Sequence, residues 1–334
     1  MKTLLLSRSD IRELISYKEV VDLCGKTYYG VGEGTVINPT KVNLPMGDSN
    51  PFPPHNSSMN AMPAYIGWLD MAGIKWQGGF ASDQRKAAGL PFIHGMNILC
   101  DPVMGNFLAV MDSTLISNMR TGGQTASIMQ YLYKSRKNVK VGLYGCGVQG
   151  HTQIEAISAV FDIEELKVYD IYKPAAVKFE SEMASFVKGK IVVCDDPKDA
   201  ATDVDVVISV TLAKDGFIKS EWIKPGTVYF AMGTYQEADH DTILKADKIL
   251  VDNIGQCMHR GALREVVELG KLKEEDLYGT IGELAIGTKP VENFENERIV
   301  IVPIGLGAMD IAVAGTVYNK AISLSMGSEF SFDM

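Results

Sequence analysis

One stretch of the chain restricts the fold more than any other. Val139 to Tyr144 reads VKVGLY, a short β-rich run, and leads directly into Gly145-Cys146-Gly147-Val148-Gln149-Gly150. A helical pattern follows, with apolar residues at Ile154, Ile157 and Val160 or Phe161, and then Leu166-Lys167-Val168-Tyr169-Asp170, a second strand ending on an acid. Strand, glycine turn, helix, strand and acid, in that order, are what a dinucleotide-binding unit requires. Gly145 permits the tight turn, Gly147 lets backbone approach a pyrophosphate, and Gly150 lets helix and strand pack closely. The helix start offers N–H groups and the positive dipole end to phosphates. The competing reading, an ordinary glycine-rich turn, has no need of the acid. Asp170 in that place accepts hydrogen bonds from the adenosine ribose and repels a 2′-phosphate, which favours NAD over NADP. No arginine follows it directly, although Lys173 is near; the plainer alternative is that Asp170 begins a turn.

The alternation continues. Ile191 to Cys194, Asp205 to Val210, Thr227 to Met232 and Ile249 to Asp252 read as third to sixth strands with helical segments between several of them. Near-continuous apolar runs such as DVVISV are expected of parallel strands buried on both faces. Six strands of this kind make a doubly wound α/β sheet. The first 115 residues differ. Ile11 to Tyr29 predicts an amphipathic helix, Pro45 to Pro63 a long polar loop, and Gly73–Trp76, Gly95–Cys100 and Phe107–Met111 short strands. Such a loop inside a compact chain is more often functional than idle. Ser113 or Thr114 is placed to cap a long helix running to about Tyr133 and joining the two parts.

A length of 334 residues suits about two domains. The formal net charge of -9 argues against a nucleic-acid-coating surface and leaves no polybasic patch for a membrane. Met1 to Asp10 lacks the long apolar core of a signal peptide. Ile299 to Met309, the longest apolar stretch, is interrupted by proline and glycine and is too short to span a bilayer. Cys24, Cys100, Cys146, Cys194 and Cys257 are scattered and lack C-x-x-C spacing, as expected of reduced, mostly buried thiols in a cytoplasmic protein, with no zinc cluster.

Four residues outside the glycine turn carry possible chemistry. Lys75, inside Gly73-Ile74-Lys75-Trp76-Gln77, either faces water from a strand or stands in a cleft for an anion or for proton transfer. Arg120 is either a solvated helix residue or a bidentate carboxylate clamp. Lys41 has the same two readings. Asp310, after Gly305-Leu306-Gly307-Ala308-Met309, either caps the next helix or faces the cofactor.

Several stretches, in order, carry a resemblance: Met62-Pro63-Ala64, Gly73 to Trp76, Gly89-Leu90-Pro91, Asp101 to Gly105, Ala109 to Asp112, Arg120-Thr121-Gly122, the glycine turn, and Gly305 to Ala312. Together they resemble the ornithine cyclodeaminase/μ-crystallin family, which includes archaeal-type alanine dehydrogenases and imine reductases. The resemblance implies a Rossmann NAD-binding domain, 116–304, inserted into a discontinuous α+β substrate and dimerisation domain, 1–115 plus 305–334, and a homodimer. It places Lys75 and Arg120 on the substrate carboxylate near the nicotinamide, with Lys41 as a third cation where cyclodeaminases have arginine. Dinucleotide contacts are then expected from Arg120, Thr121, Gly145, Gly147, Val148, Gln149, Asp170, Thr211, Met232 and Gly233. Lys75 and Asp310 are the expected catalytic groups.

One departure stands out. Where cyclodeaminases carry an aspartate after the fifth strand, this chain reads Met232-Gly233-Thr234-Tyr235-Gln236-Glu237, with Tyr235 at that place. Glu237 or Asp239 substitutes only if the loop is shifted. The expected function is NAD-dependent oxidation or imine reduction at the α-carbon of a small amino acid. The rivals are a cyclodeaminase that recycles NAD and a non-catalytic dinucleotide-binding protein.

Overall fold

The computed structural model describes residues 2–47, 55, 57–80 and 82–332. The chain forms two units, one from residues 1–120 and 306–334, the other from Thr121–Gly305. The first division falls within the helix Ser113–Tyr133, at Arg120, which ion-pairs with Asp310 of the same unit.

In the second unit an eight-stranded sheet is parallel throughout. Its order is Lys190–Val193, Asp162–Tyr169, Asn138–Tyr144, Val206–Ser209, Val228–Ala231, Ile299–Val302, Lys248–Val251, Gly279–Thr280. The four strands expected after Asp170 all form, but the sheet has eight strands and not six. Ile299–Val302 inserts between the fifth and sixth, and Gly279–Thr280 forms an edge. A four-residue apolar run before Pro303 has no period of its own, so sequence alone does not call it a strand. The central strands are buried on both faces, and Tyr144, Tyr229, Val207 and Val300 belong to the core between sheet and helices. Chain order reverses at Asn138–Tyr144, which pairs with Asp162–Tyr169 on one side and Val206–Ser209 on the other. Ligands of doubly wound sheets bind beyond the strand C-termini at such a switch point.

The first unit holds a mixed, mostly antiparallel sheet. Its order is Ser328–Ser331, Lys2–Leu6, Phe107–Asp112, Ile93–Cys100, Met71–Phe80, Ser57–Ile66 and Val36–Ile37, and Val42–Pro45 also pairs with Ser57–Ile66. The helix Gly307–Leu324 packs on one face. It lies so close that a Cβ on Gly307 would stand 2.8 Å from Met62. Met62, Leu99, Ala109 and Met111 are buried on that face. The opposite face leaves Val42, Leu44, Trp76 and Met96 at least half exposed.

Three local expectations change. The single helix over Ile11–Tyr29 is two, Arg8–Leu14 and Tyr17–Gly32, because Ser7 with Asp10 and Ser16 with Glu19 each close a capping box. The loop over Pro45 to Pro63 begins and ends in strand: Pro45 and residues 57–63 are paired, while 48–54 and 56 lie outside the described residues. The cap of the long helix is Asp112, whose carboxylate accepts from the Leu115 N–H at 2.8 Å; Ser113 instead donates to Gln77. A carboxylate at that position accepts from the first-turn N–H groups and meets the positive helix end.

Candidate active site

In the first unit, strand alternation turns Lys75 and Gln77 to the covered face, while Trp76 faces out. The helix Ser113–Tyr133 brings Ser117 and Arg120 together, three residues apart on one helical face. The helix Gly307–Leu324 contributes Asp310 from its first turn. The Lys75 ammonium lies 3.1 and 3.2 Å from the two Asp310 oxygens, and Arg120 Nε lies 3.2 Å from Oδ2. Ser117 Oγ accepts from Lys75 Nζ at 2.8 Å, from Arg120 Nη2 at 3.2 Å and from Gln77 Nε2 at 3.4 Å. Asp310 is fully buried, Lys75 is 3% exposed and Arg120 7%.

These contacts decide two open readings. Lys75 does not face water. Asp310 does not cap its helix, whose preceding residue is Leu306; Asn38 Oδ1 accepts from the Ala308 N–H at 2.8 Å instead. Burial and the Arg120 charge push the Lys75 pKa down to about 8, with Asp310 opposing them. Two cations and one carboxylate leave a buried excess of one positive charge. A buried unbalanced charge is costly until an anion pairs with it.

Lys41 is half-buried and immediately precedes Val42, which pairs with Ala61. Extending that register sets Lys41 opposite Met62, itself opposite Lys75. Neighbouring strands are about 4.8 Å apart, so Lys41 falls in the same cross-strand row as Lys75 at a distance of about 10 Å.

In the second unit the glycine turn has the geometry its residues call for. Gly145 has φ +99°, open to glycine and strained for other residues. A Cβ on Gly150 would stand 2.3 Å from the Gly145 oxygen, whereas one on Gly147 would meet nothing within 4 Å. Gly147 precedes the eleven-residue helix Val148–Ser158, and Val148 is exposed beside it. Asp170 ends its strand and accepts from Cys146 N at 2.8 Å and Tyr172 N at 2.9 Å. Its carboxylate thereby locks the turn, and lone pairs remain for hydroxyl donors. Lys173, three residues after it, pairs with Asp195. Thr121 lies in the long helix, where its carbonyl accepts from Gln153 Nε2 at 3.2 Å and ties that helix to Val148–Ser158. This cradle fits a dinucleotide: close backbone approach at Gly147, a helix N-terminus just after it, and an acid where a ribose would lie.

The loops after Val206–Ser209 and Val228–Ala231 are joined by a residue whose sequence context suggested another task. Glu237 is 1% exposed and accepts from Ser209 Oγ at 2.7 Å, Thr211 N at 2.5 Å, Thr211 Oγ1 at 2.6 Å and Gly233 N at 3.1 Å. Burial raises its pKa against those hydrogen bonds. Glu237 is therefore a brace that fixes Thr211 and Gly233 beside Met232. Asp239 caps the helix His240–Leu244 through Thr242 N at 3.0 Å. Both carboxylates considered as substitutes for the missing aspartate are committed to structure. Tyr235, at the aspartate's place, is 40% exposed with the Lys214 ammonium 5.9 Å from its ring centre.

Sequence reasoning missed Ser117 as a site builder and weighed Glu237 as a possible base rather than as a brace. The i, i+3 spacing of Ser117 to Arg120 was an available signal. Glu237 had none, since its partners come from two other loops.

The family model described as "Ornithine cyclodeaminase/mu-crystallin family" matches residues 1–325. The chain belongs to this family. Among curated relatives, an alanine dehydrogenase of Archaeoglobus fulgidus is 34% identical over 337 aligned residues, covering 99% of each chain. Among solved structures, an archaeal alanine dehydrogenase dimer with bound NAD superposes with a TM-score of 0.89 at 33% identity, covering 100% of each chain. The Delta(1)-pyrroline-2-carboxylate reductase of Thermococcus litoralis, in complex with NADH and L-proline, gives 0.88 at 28%, covering 98% of this chain and 99% of that one. The fold class expected from sequence, a Rossmann-type parallel sheet beside a separate α+β sheet domain, is the one observed.

Proposed function

We propose that this protein is an NAD-dependent oxidoreductase acting at the α-amino or imino carbon of a small amino acid. The observation that carries this reading is the buried Lys75–Asp310–Arg120 cluster with its excess positive charge, on a chain that also holds a dinucleotide cradle. One small carboxylate neutralises that excess. Arg120 presents a planar fork and Lys75 a point charge, which fix such a group from two directions. Lys41 is a further cation in the same cross-strand row.

When bound, NAD supplies the hydride acceptor, and NADH the donor. Gly145, Gly147, Val148 and Gln149 would hold its pyrophosphate, Asp170 its adenosine ribose, and Arg120, Thr121, Thr211, Met232 and Gly233 the remainder. The Asp170 carboxylate repels a 2′-phosphate, and Lys173, three residues on, pairs with Asp195, in keeping with NAD over NADP. Lys75 Nζ is our proton-handling group. A pKa of about 8 leaves it able both to take a proton from the substrate ammonium and to return one to an imine nitrogen near neutrality. Asp310 keeps the ammonium in place and stabilises its charged form.

Ring closure with ammonia release is the weaker reading, because Glu237 and Asp239 are engaged elsewhere and Tyr235 offers no carboxylate. Assembly as a homodimer is supported by the dimeric archaeal alanine dehydrogenase and by the exposed apolar sheet face bearing Val42, Leu44, Trp76 and Met96. A cytoplasmic location is supported by five free cysteines. Among the described residues no helix is long and apolar enough to cross a membrane.

The test is a panel of L-amino acids with NAD and NADP, and of imino acids with NADH, read by nicotinamide absorbance and product mass. Net NADH with ammonia, or imine reduction, is the expected result. Product without net NADH would transfer the chain to the cyclodeaminase reading. No turnover on any member would transfer it to the binding-protein reading.

A further inference from the structure

Asn97 lies directly opposite Lys75 in the antiparallel pair of Met71–Phe80 with Ile93–Cys100. Opposed residues share a sheet face, with Cβ atoms about 5 Å apart. Asn97 is 0% exposed, and neither its Oδ1 nor its Nδ2 has a hydrogen-bond partner among the described residues. It is the one side chain whose buried oxygen and nitrogen both lack partners there. Its neighbour Gln77 shows the usual condition, donating to Ser117 and accepting from Ser113. A buried amide with both ends unmet is unfavourable and is kept where something else meets them.

In the proposed function Lys75 and Arg120 already serve the substrate α-carboxylate, and Lys75 the proton on its α-nitrogen, with Ser117 and Asp310 holding those two cations in place. Asn97 offers one acceptor and two donor hydrogens beyond that set. A purely aliphatic side chain would leave both ends unpaired. From this juxtaposition we infer that Asn97 is a specificity-determining residue, and that the substrate is a small amino or imino acid with a hydrogen-bonding side chain (hydroxyl, amide or amine) rather than an alkyl one. The inference rests on the proposed function for its substrate class.

The test compares shape-matched pairs on the full-length protein with NAD: L-serine against L-2-aminobutyrate, L-threonine against L-valine, and L-asparagine against L-leucine. The readouts are kcat/KM and the shift in melting temperature at saturating amino acid. The polar member of at least one pair should win by roughly 10- to 100-fold, the cost of leaving a buried polar group unpaired. Asn97→Val should collapse or reverse that ratio while NADH affinity stays unchanged. The variant should also melt no lower than the parent, since it removes an unmet amide. Asn97→Thr, with one hydroxyl, should give an intermediate ratio and guards against a folding defect in the valine variant.

Preference for the alkyl member in all three pairs overturns the inference, as does a ratio that Asn97→Val leaves unchanged. Absence of turnover with every substrate defeats the proposed function instead. The melting shifts then still decide Asn97, because binding of polar but not alkyl members supports it and the reverse refutes it.

Discussion

Replacing Lys75 by methionine separates what the buried ammonium does for chemistry from what it costs the fold. In the folded protein its pKa falls from 10.5 to about 8, chiefly through burial and then through Arg120. A depressed lysine pKa means that the unfolded chain binds more protons between those two values. Folding stability therefore rises with pH through that window, and the penalty is fully present below about pH 8. The depression corresponds to about 3 kcal/mol near pH 6.5 and about 1 kcal/mol near pH 9.5, where the unfolded side chain is itself losing its proton. Methionine carries no such dependence. Lost hydrogen bonds to Ser117 and altered packing shift the comparison by an amount that does not titrate here. The stability difference, Lys75→Met minus parent, should therefore be more favourable to the variant by about 2 kcal/mol near pH 6.5 than near pH 9.5. Urea unfolding at both pH values measures it. In parallel, turnover should be almost abolished while NADH binding is retained, and parental kcat/KM for amino-acid oxidation should climb through about pH 8 as Lys75 becomes able to accept a proton. A stability difference that stays constant within about 0.5 kcal/mol across that range would refute the buried-ammonium argument. Unchanged turnover would remove Lys75 from the chemistry.

Other outcomes follow from single contacts. Gly150→Ala places a Cβ 2.3 Å from the Gly145 oxygen, so NADH affinity by fluorescence titration should fall at least tenfold and the melting temperature should drop; tight binding in the variant would mean the turn is not the pyrophosphate site. Glu237→Gln sets an amide NH2 against the N–H groups of Thr211 or Gly233, costing about 1–3 kcal/mol of stability in urea unfolding. NADH affinity should weaken with it, while an unaltered protein would show that the brace is dispensable. Trp76→Glu, on the exposed apolar sheet face, should convert a dimer to monomers in light scattering. A monomeric parent, or a variant that still dimerises, would discard that face as the interface.

Much of this was legible in one dimension wherever the determining contacts are local. The glycine turn is a case: positive φ at Gly145 and the crowding at Gly150 arise within a few residues, and so the spacing alone announces them. The parallel strands are another, because burial on both faces demands continuous apolar runs. Capping boxes at Ser7 and Ser16 are equally local, and they divide the helical stretch from Ile11 to Tyr29 into two helices.

The residues that act at a distance were different. Lys75 and Asp310 are 235 positions apart, and on its own stretch each had a bland reading, a solvated strand lysine and a helix cap. Only the packing of Gly307–Leu324 on the sheet removes water from both and makes them a pair. Glu237 likewise looked like a possible base until two loops closed around its carboxylate. Asn97 carried no signal at all, since an asparagine in a strand is ordinary until its neighbours are seen to leave it unpaired. Sequence thus determined which elements form and that a dinucleotide turn exists, since those depend on period and backbone freedom. Tertiary structure decided which charges are buried together, because desolvation and pairing depend on neighbours that the order along the chain does not name.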